Sequence, residues 1–179
     1  MREALETLHG DGPRDFAELV FAAATRLLVL SDLGVDDAEA RGRAEAVVRD
    51  GSAVEAYERW IRAQGGDPDE SMLPRAPVVR EVLAERAGHV ASLGATAVGV
   101  AALHLGAGRS SKDDSIDHAV GVRCLRKRGD PVVEGEPLAE VHARGEAAAE
   151  HAIADVRAAY VLADEPPTAR RIVLDFVTS

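Results

Sequence analysis

The stretch GDPDESMLPRAP, residues 66 to 77, constrains this chain more than any other. It holds three prolines behind a leading glycine, and proline both fixes φ and removes a backbone donor. Neither a helix nor a central strand runs through such a stretch. The apolar pattern also changes across it. Before it, apolar residues recur at spacings of three and four, the period of an amphipathic helix. After it, short apolar runs are separated by glycine turns, the pattern of short strands. The sequence therefore predicts helices over 1–66, a connector over 67–77 and an α+β domain over 78–179.

In the first part, Phe16, Leu19, Val20, Ala23, Leu27 and Leu30 form one apolar stripe on a helix that starts near Asp11-Gly12-Pro13. Asp36 is a natural cap for a second helix running to about Arg49 and ended by Gly51. SAVE, 52 to 55, reads as a capping box opening a third helix, with Val54, Tyr57 and Ile61 on one face and Gly65-Gly66 as its stop. Helices with one apolar face each need a surface to lie on. In the second part, PVVREVLAE and GHVASLG read as strands, and 95–105 as a small-residue helix in which Gly99 allows close approach to a neighbour. Three short strands then follow, broken at Gly129-Asp130-Pro131 and Glu134-Gly135. A helix is expected over 145–164, with Ala148, Ile153, Val156, Tyr160 and Val161 along one side. The alternation of Ile172, Leu174 and Phe176 predicts a closing strand.

Composition excludes whole classes of function. The chain is 46% hydrophobic, enough to bury a core, and its formal net charge of -10 argues against a nucleic-acid backbone or an anionic membrane as partner. Cys124 is the single cysteine, so there is no internal disulfide framework and no thiolate zinc cage. No apolar run approaches the ~18 residues a bilayer span needs, and MREALETLHGDG shows no signal-peptide core. The expectation is a cytoplasmic protein.

The segment GAGRSSKDDSIDHAVG, 106 to 121, concentrates the candidate chemistry. Its glycines follow a predicted helix, at the end where the helix dipole repels anions, and neither phosphate-loop template fits. Gly106 reads better as a helix C-cap. Asp113, Asp114, Asp117 and His118 lack calcium-loop spacing; Asp117 reads as a bracket for backbone N–H groups, with Arg109 and Lys112 as charge partners. His89, His104, His118 and His142 have no metal-site spacing, and Ser110-Ser111 lacks a nucleophile-elbow context. The later stretch RKRGDPVVEGEPLAEVHA, 126 to 143, has turns like those of biotinyl and lipoyl carriers. The hairpin DPVVEGEP holds no lysine, so the swinging-arm reading fails and a small β scaffold remains.

Residues 105 to 143, LGAGRSSKDDSIDHAVGVRCLRKRGDPVVEGEPLAEVHA, closely resemble the C-terminal signature of the thymidine and pyrimidine-nucleoside phosphorylases. That pattern runs L-G-x-G-R-x-x-x-x-D-x-I-D-x-A-V-G, then Gly-Asp, then G-x-P-L-A-x-x-H-A. REALETLHGDGP and AQGGDP also match, so the resemblance covers essentially the whole chain. It implies an α+β chain that is the C-terminal part of an α/β enzyme: helices of the large domain, then an α/β-hammerhead or barrel-sandwich-like small β domain with flanking helices. It implies a family reaction in which phosphate attacks the anomeric carbon of a pyrimidine nucleoside, releasing free base and a pentose 1-phosphate. The family's phosphate loop, K-H-S-T-G-G-V-G-D-K, and its pyrimidine-gripping Arg, Ser and Lys are absent from this sequence. The expectation is therefore a truncated portion, inactive alone, with no catalytic or substrate-binding residue of its own and no organic cofactor. Phosphate, the nucleoside and an N-terminal partner chain belong to the complete enzyme. The family homodimer would lack its main contact here.

One family position has a match. MREA stands where the family has V-[KR]-E-A, so Glu3 aligns with a potassium ligand, the other ligands lying upstream; a solvated first-turn acid explains Glu3 equally well. Gly106, Gly108, Arg109, Asp114 and Asp117 are expected to shape the loop rather than to catalyse. The rival reading is a non-catalytic interaction module whose apolar helix faces bind a partner chain or a second copy.

Overall fold

The computed structural model describes residues 1–109 and 111–177. It divides into two compact units, Met1–Met72 with the tail from Arg170, and Leu73–Ala169.

The first unit is helical: α1 (Arg2–Leu8), α2 (Arg14–Val29), α3 (Asp37–Arg49) and α4 (Ser52–Ala63), then a 3₁₀ turn at Glu70–Met72. The side chain of Asp36 accepts the Glu39 N–H at 2.9 Å, the cap expected for α3. Helices α2 and α3 pack together, and Arg41 joins them. Its guanidinium reaches Glu18 at 2.9 Å and Glu45 at 2.5 Å, and it lies 4.9 Å from the centre of the Phe21 ring. The small core here is Leu5, Val35, Ala40 and Ala44, with Thr7 and Thr25 returning their hydroxyls to carbonyls one turn back.

Three expectations are corrected in this unit. The capping box does not form: Gly51, at φ +82°, occupies the N-cap, so Ser52 is already helical. Its N–H and hydroxyl turn back to the Asp50 carboxylate at 2.9 and 2.6 Å, which lowers the Asp50 pKa. The apolar stripe of α2 is not the packed side. Thr25 is buried, whereas Leu19, Leu27 and Leu30 are exposed, the last two at 71% and 81%. The predicted closing strand is absent, because the described residues 170–177 pair with no sheet and Ile172, Leu174 and Phe176 stay exposed. Phe176 instead lies under the Arg26 guanidinium, 4.4 Å from the ring centre.

The second unit is α+β: β1 (Val78–Leu83), β2 (Gly88–Leu93), α5 (Ala95–Ala102), a π-helical turn (Leu103–Ala107), β3 (Gly121–Cys124), β4 (Pro131–Val132), β5 (Pro137–Ala143), α6 (Glu146–Ala159) and β6 (Tyr160–Ala163). Two three-stranded antiparallel sheets form, ordered β1-β5-β3 and β4-β2-β6. Strand β5 is central in the first, with Val141 opposite Arg80 on one side and Val122 on the other. Val82, Val90, Val141 and Val156 are its largest fully buried side chains, and alanines fill most of the remaining core. Such small side chains let α6 lie close on β1 and β5.

The predicted 145–164 helix ends earlier, at Ala159, and the chain turns extended at Tyr160. The inner face of α6 is Ala149, Ala152, Val156 and Ala159; of the predicted side, Val156 and Tyr160 are buried and Ile153 packs against the core, whereas Ala148 and Val161 are exposed. Tyr160 explains the break: its ring is buried, and its hydroxyl lies 2.8 Å from the Leu138 carbonyl and 3.0 Å from that of Arg126. Burial, with Cys124 as a lesser cause, pushes this phenol well above its usual range, so it stays a donor. Gly99 has no close neighbour, contrary to the packing role expected for it.

The glycine turns hold as the sequence implied. Gly129, at φ +99°, donates its N–H to Val90, and Gly135, at φ +80°, donates to Ala84. Arg126 pairs with Glu136, whose carboxylate also accepts the Val133 N–H at 3.0 Å. That N–H and then Arg126 lower the Glu136 pKa.

Candidate functional site

The loop between α5 and β3 is shaped from both ends. The π-helical turn closes α5, and Gly106 within it has φ +102°, the left-handed geometry of a helix stop. Gly108 is extended, and a Cβ there would sit 2.8 Å from Leu103 Cδ1, so a side chain at this position would displace the end of Leu103. The Gly106 carbonyl accepts the Asp117 N–H at 2.9 Å, which clamps the base of the loop.

Asp117 is the most constrained carboxylate of the loop. It accepts the Ala119 N–H at 2.9 Å and a forked pair from Arg144, Nε at 2.5 Å and the terminal nitrogen at 2.8 Å. Hydrogen bonding from Arg144 first, then from Ala119, lowers its pKa to about 2. The bracket role expected of Asp117 is therefore present, but its forked charge partner is Arg144, 27 positions on, rather than Arg109 or Lys112. Asp114 serves a separate local turn, accepting the Ser111 N–H at 2.8 Å and the Ser111 hydroxyl at 3.1 Å. Arg109 is exposed, and Ser110 lies outside the described residues. Asp114 and Asp117 thus both brace the loop's own backbone.

The histidines do not gather as a group of four. His89 Nδ1 is 3.3 Å from the Asp164 carbonyl, and His142 Nε2 is 3.5 Å from Glu140. His104, on the π-helical turn, lies beside Asp155 and His151 of α6. The sequence offered one overlooked signal for this group: His151 and Asp155 are four apart on a predicted helix, hence on one face.

A hollow of about 180 Å³ lies elsewhere in the second unit, lined by Leu83, Glu85, Arg86, Arg157 and Tyr160 among others. Its cations are already engaged, Arg157 with Glu85 at 3.5 Å and Arg86 with Asp164 at 2.6 Å. Glu3 stands in the first turn of α1, and its backbone carbonyl accepts the Thr7 hydroxyl. One carboxylate does not make a cation site, and Glu3 is not in the one cluster of metal-ligating side chains found among the described residues.

Residues 89–163, which span most of the second unit, match the family described as the pyrimidine nucleoside phosphorylase C-terminal domain. The chain thus carries a phosphorylase C-terminal domain. It is 41% identical over 150 residues to the pyrimidine-nucleoside phosphorylase of Bacillus subtilis, a match covering 82% of this chain and 35% of that protein. The Geobacillus stearothermophilus pyrimidine-nucleoside phosphorylase is 39% identical over the same extent, 82% of this chain and 35% of the relative. A Staphylococcus aureus pyrimidine-nucleoside phosphorylase is 38% identical over 146 residues, 79% of this chain and 34% of its own. The chain belongs to the pyrimidine-nucleoside phosphorylase family, and it spans about a third of the length of these relatives.

Proposed function

We propose that this chain is a C-terminal portion that serves phosphorolysis of pyrimidine nucleosides only together with the parts its relatives have and it does not. The reaction would be nucleoside plus phosphate giving free pyrimidine and (deoxy)ribose 1-phosphate. One observation carries the reading: every acidic and basic group placed in the conspicuous loop is spent on shaping that loop or left at the surface. The groups that grip phosphate and base are accordingly proposed not to be among these loop residues. Stabilising the charge that develops on phosphate and leaving base requires preorganised donors and cations. Those donors are proposed to lie in the rest of the enzyme, with Glu3 contributing one potassium ligand there. The reading keeps the cytoplasmic location expected from the sequence, assigns the helices over 1–66 to the large α/β domain of the complete enzyme, and keeps 67–77 as the connector.

The test is an assay of thymidine and uridine phosphorolysis by the purified chain. No turnover is expected from the chain alone, and turnover is expected when the N-terminal portion of the Bacillus subtilis relative is added. Robust turnover by the chain alone would overturn the proposal. The exposed Leu19 and Leu27 of α2, with Leu30 at its C-cap, favour a second, compatible reading, an interaction surface for that missing portion or for a second copy.

A further inference from the structure

His104, His151 and Asp155 each bring one ligand atom to a common point, and these atoms all lie within 4.8 Å of one another. His104 Nδ1 is 3.9 Å from Asp155 Oδ2, and His151 Nε2 is 3.7 Å from the same oxygen. The scaffold fixes this convergence. Ala149, Ala152 and Val156 bury the inner face of α6 and so set its rotation, which turns His151 and Asp155 outward together. Helix α5 and the π-helical turn both pack on α6, which brings His104 alongside.

We propose that His104, His151 and Asp155 form a surface binding site for a borderline divalent transition ion of the zinc class, tying the π-helical turn to α6. Two imidazoles and one carboxylate suit zinc, nickel or cobalt, whereas magnesium and calcium demand mainly oxygen ligands. Zinc bonds of about 2.0–2.2 Å place neighbouring ligand atoms about 3–3.5 Å apart. The three groups need close by little, and two of them are exposed and the third half-buried, so rotation about their side-chain bonds suffices. Water completes the coordination. The consequence is local: Gly106 sits in the tied turn and accepts the Asp117 N–H, so a bound ion stiffens the base of the 106–121 loop. The site is independent of where the phosphorolysis machinery lies.

The experiment is calorimetric titration of the untagged full chain with zinc chloride, alongside NMR of the histidine ring protons. One zinc per chain is expected, with the ring signals of His104 and His151 shifted and those of His89 and His142 unmoved. His104→Ala, His151→Ala and Asp155→Asn should each weaken binding about tenfold or more, since even partners outside the ligand sphere alter affinity that much. His142→Ala should bind as the parent chain does. These side chains lie at the surface, so the variants should keep the parent's circular dichroism; should one not, His104→Gln and His151→Gln replace it. No stoichiometric zinc uptake, or uptake unchanged in both His104→Ala and His151→Ala, overturns the site.

Discussion

Asp117 takes a fork from Arg144 and a backbone N–H from Ala119, and both favour its charged form. Its folded pKa, about 2, lies below the ordinary value of 3.8. An unfolded chain therefore takes up this proton at higher pH than the folded one. The stabilisation is fully present above about pH 4 and is lost as pH falls through about pH 2. Arg144→Ala should lower the melting temperature at pH 7. It should also flatten the dependence of the melting temperature on pH between about 4 and 2, compared with the parent. Thermal melts of both proteins across that interval check this, and an unchanged slope would place the loop's restraint elsewhere. The carboxylate itself was legible in the sequence, as an Asp able to bracket its own loop by accepting backbone N–H groups. Its partner was not, because a contact across 27 residues depends on β5 delivering Arg144 to the loop. Local spacing favoured the nearer Arg109 and Lys112 instead.

At the scale of elements, backbone conformation divides the glycines into those that must be glycine and those that need not be. Gly88 opens β2 at φ +153°, and a Cβ there would lie 2.6 Å from the Ala163 carbonyl oxygen of β6. Neither party can yield, since one is a strand start and the other a paired backbone. Gly88→Ala should cost about 1–3 kcal/mol, the range for an L-residue held in such a conformation. Gly99 lies inside α5 with open space around it. Gly99→Ala should stabilise by about 0.5–1 kcal/mol, through helix propensity alone. Urea denaturation of the two variants gives opposite signs if this division is right. Element type was read well where turn chemistry is strong: β1 to β5, α5 and the Gly129 and Gly135 turns all stand where the pattern put them. The misreadings of α6 share one physical source. Alanine-rich α6 shows its inner side in the sequence only through Ile153, Val156 and Tyr160, so neither the buried alanines nor its end at Ala159 was visible. The break follows from Tyr160 finding two carbonyls, which no propensity reports.

For the whole molecule, the largest departure from the sequence's promise is a surface rather than an element. The α2 stripe was correctly seen as apolar, but within the first unit the helix packs by another side and leaves Leu27 and Leu30 exposed. A stripe of this kind on a chain spanning about a third of its relatives' length is what an interface with the remaining two thirds would leave. Replacing these leucines with serine separates that origin from an ordinary part of the first unit's core. The double variant Leu27→Ser, Leu30→Ser should change stability by no more than about 0.5 kcal/mol, as surface substitutions do. It should also bind less of an apolar-surface dye than the parent and sediment with less self-association. A fall of several kcal/mol would show that the stripe supports the first unit itself. A parent chain that sediments as a clean monomer and binds no dye would remove the interaction surface while leaving the phosphorylase reading intact. The serine variant should further fail to restore phosphorolysis when the N-terminal portion is supplied, although its own loop and sheets are untouched. That combination, a normal fold with lost complementation, is produced by an interface stripe and not by a defect in the domain behind it.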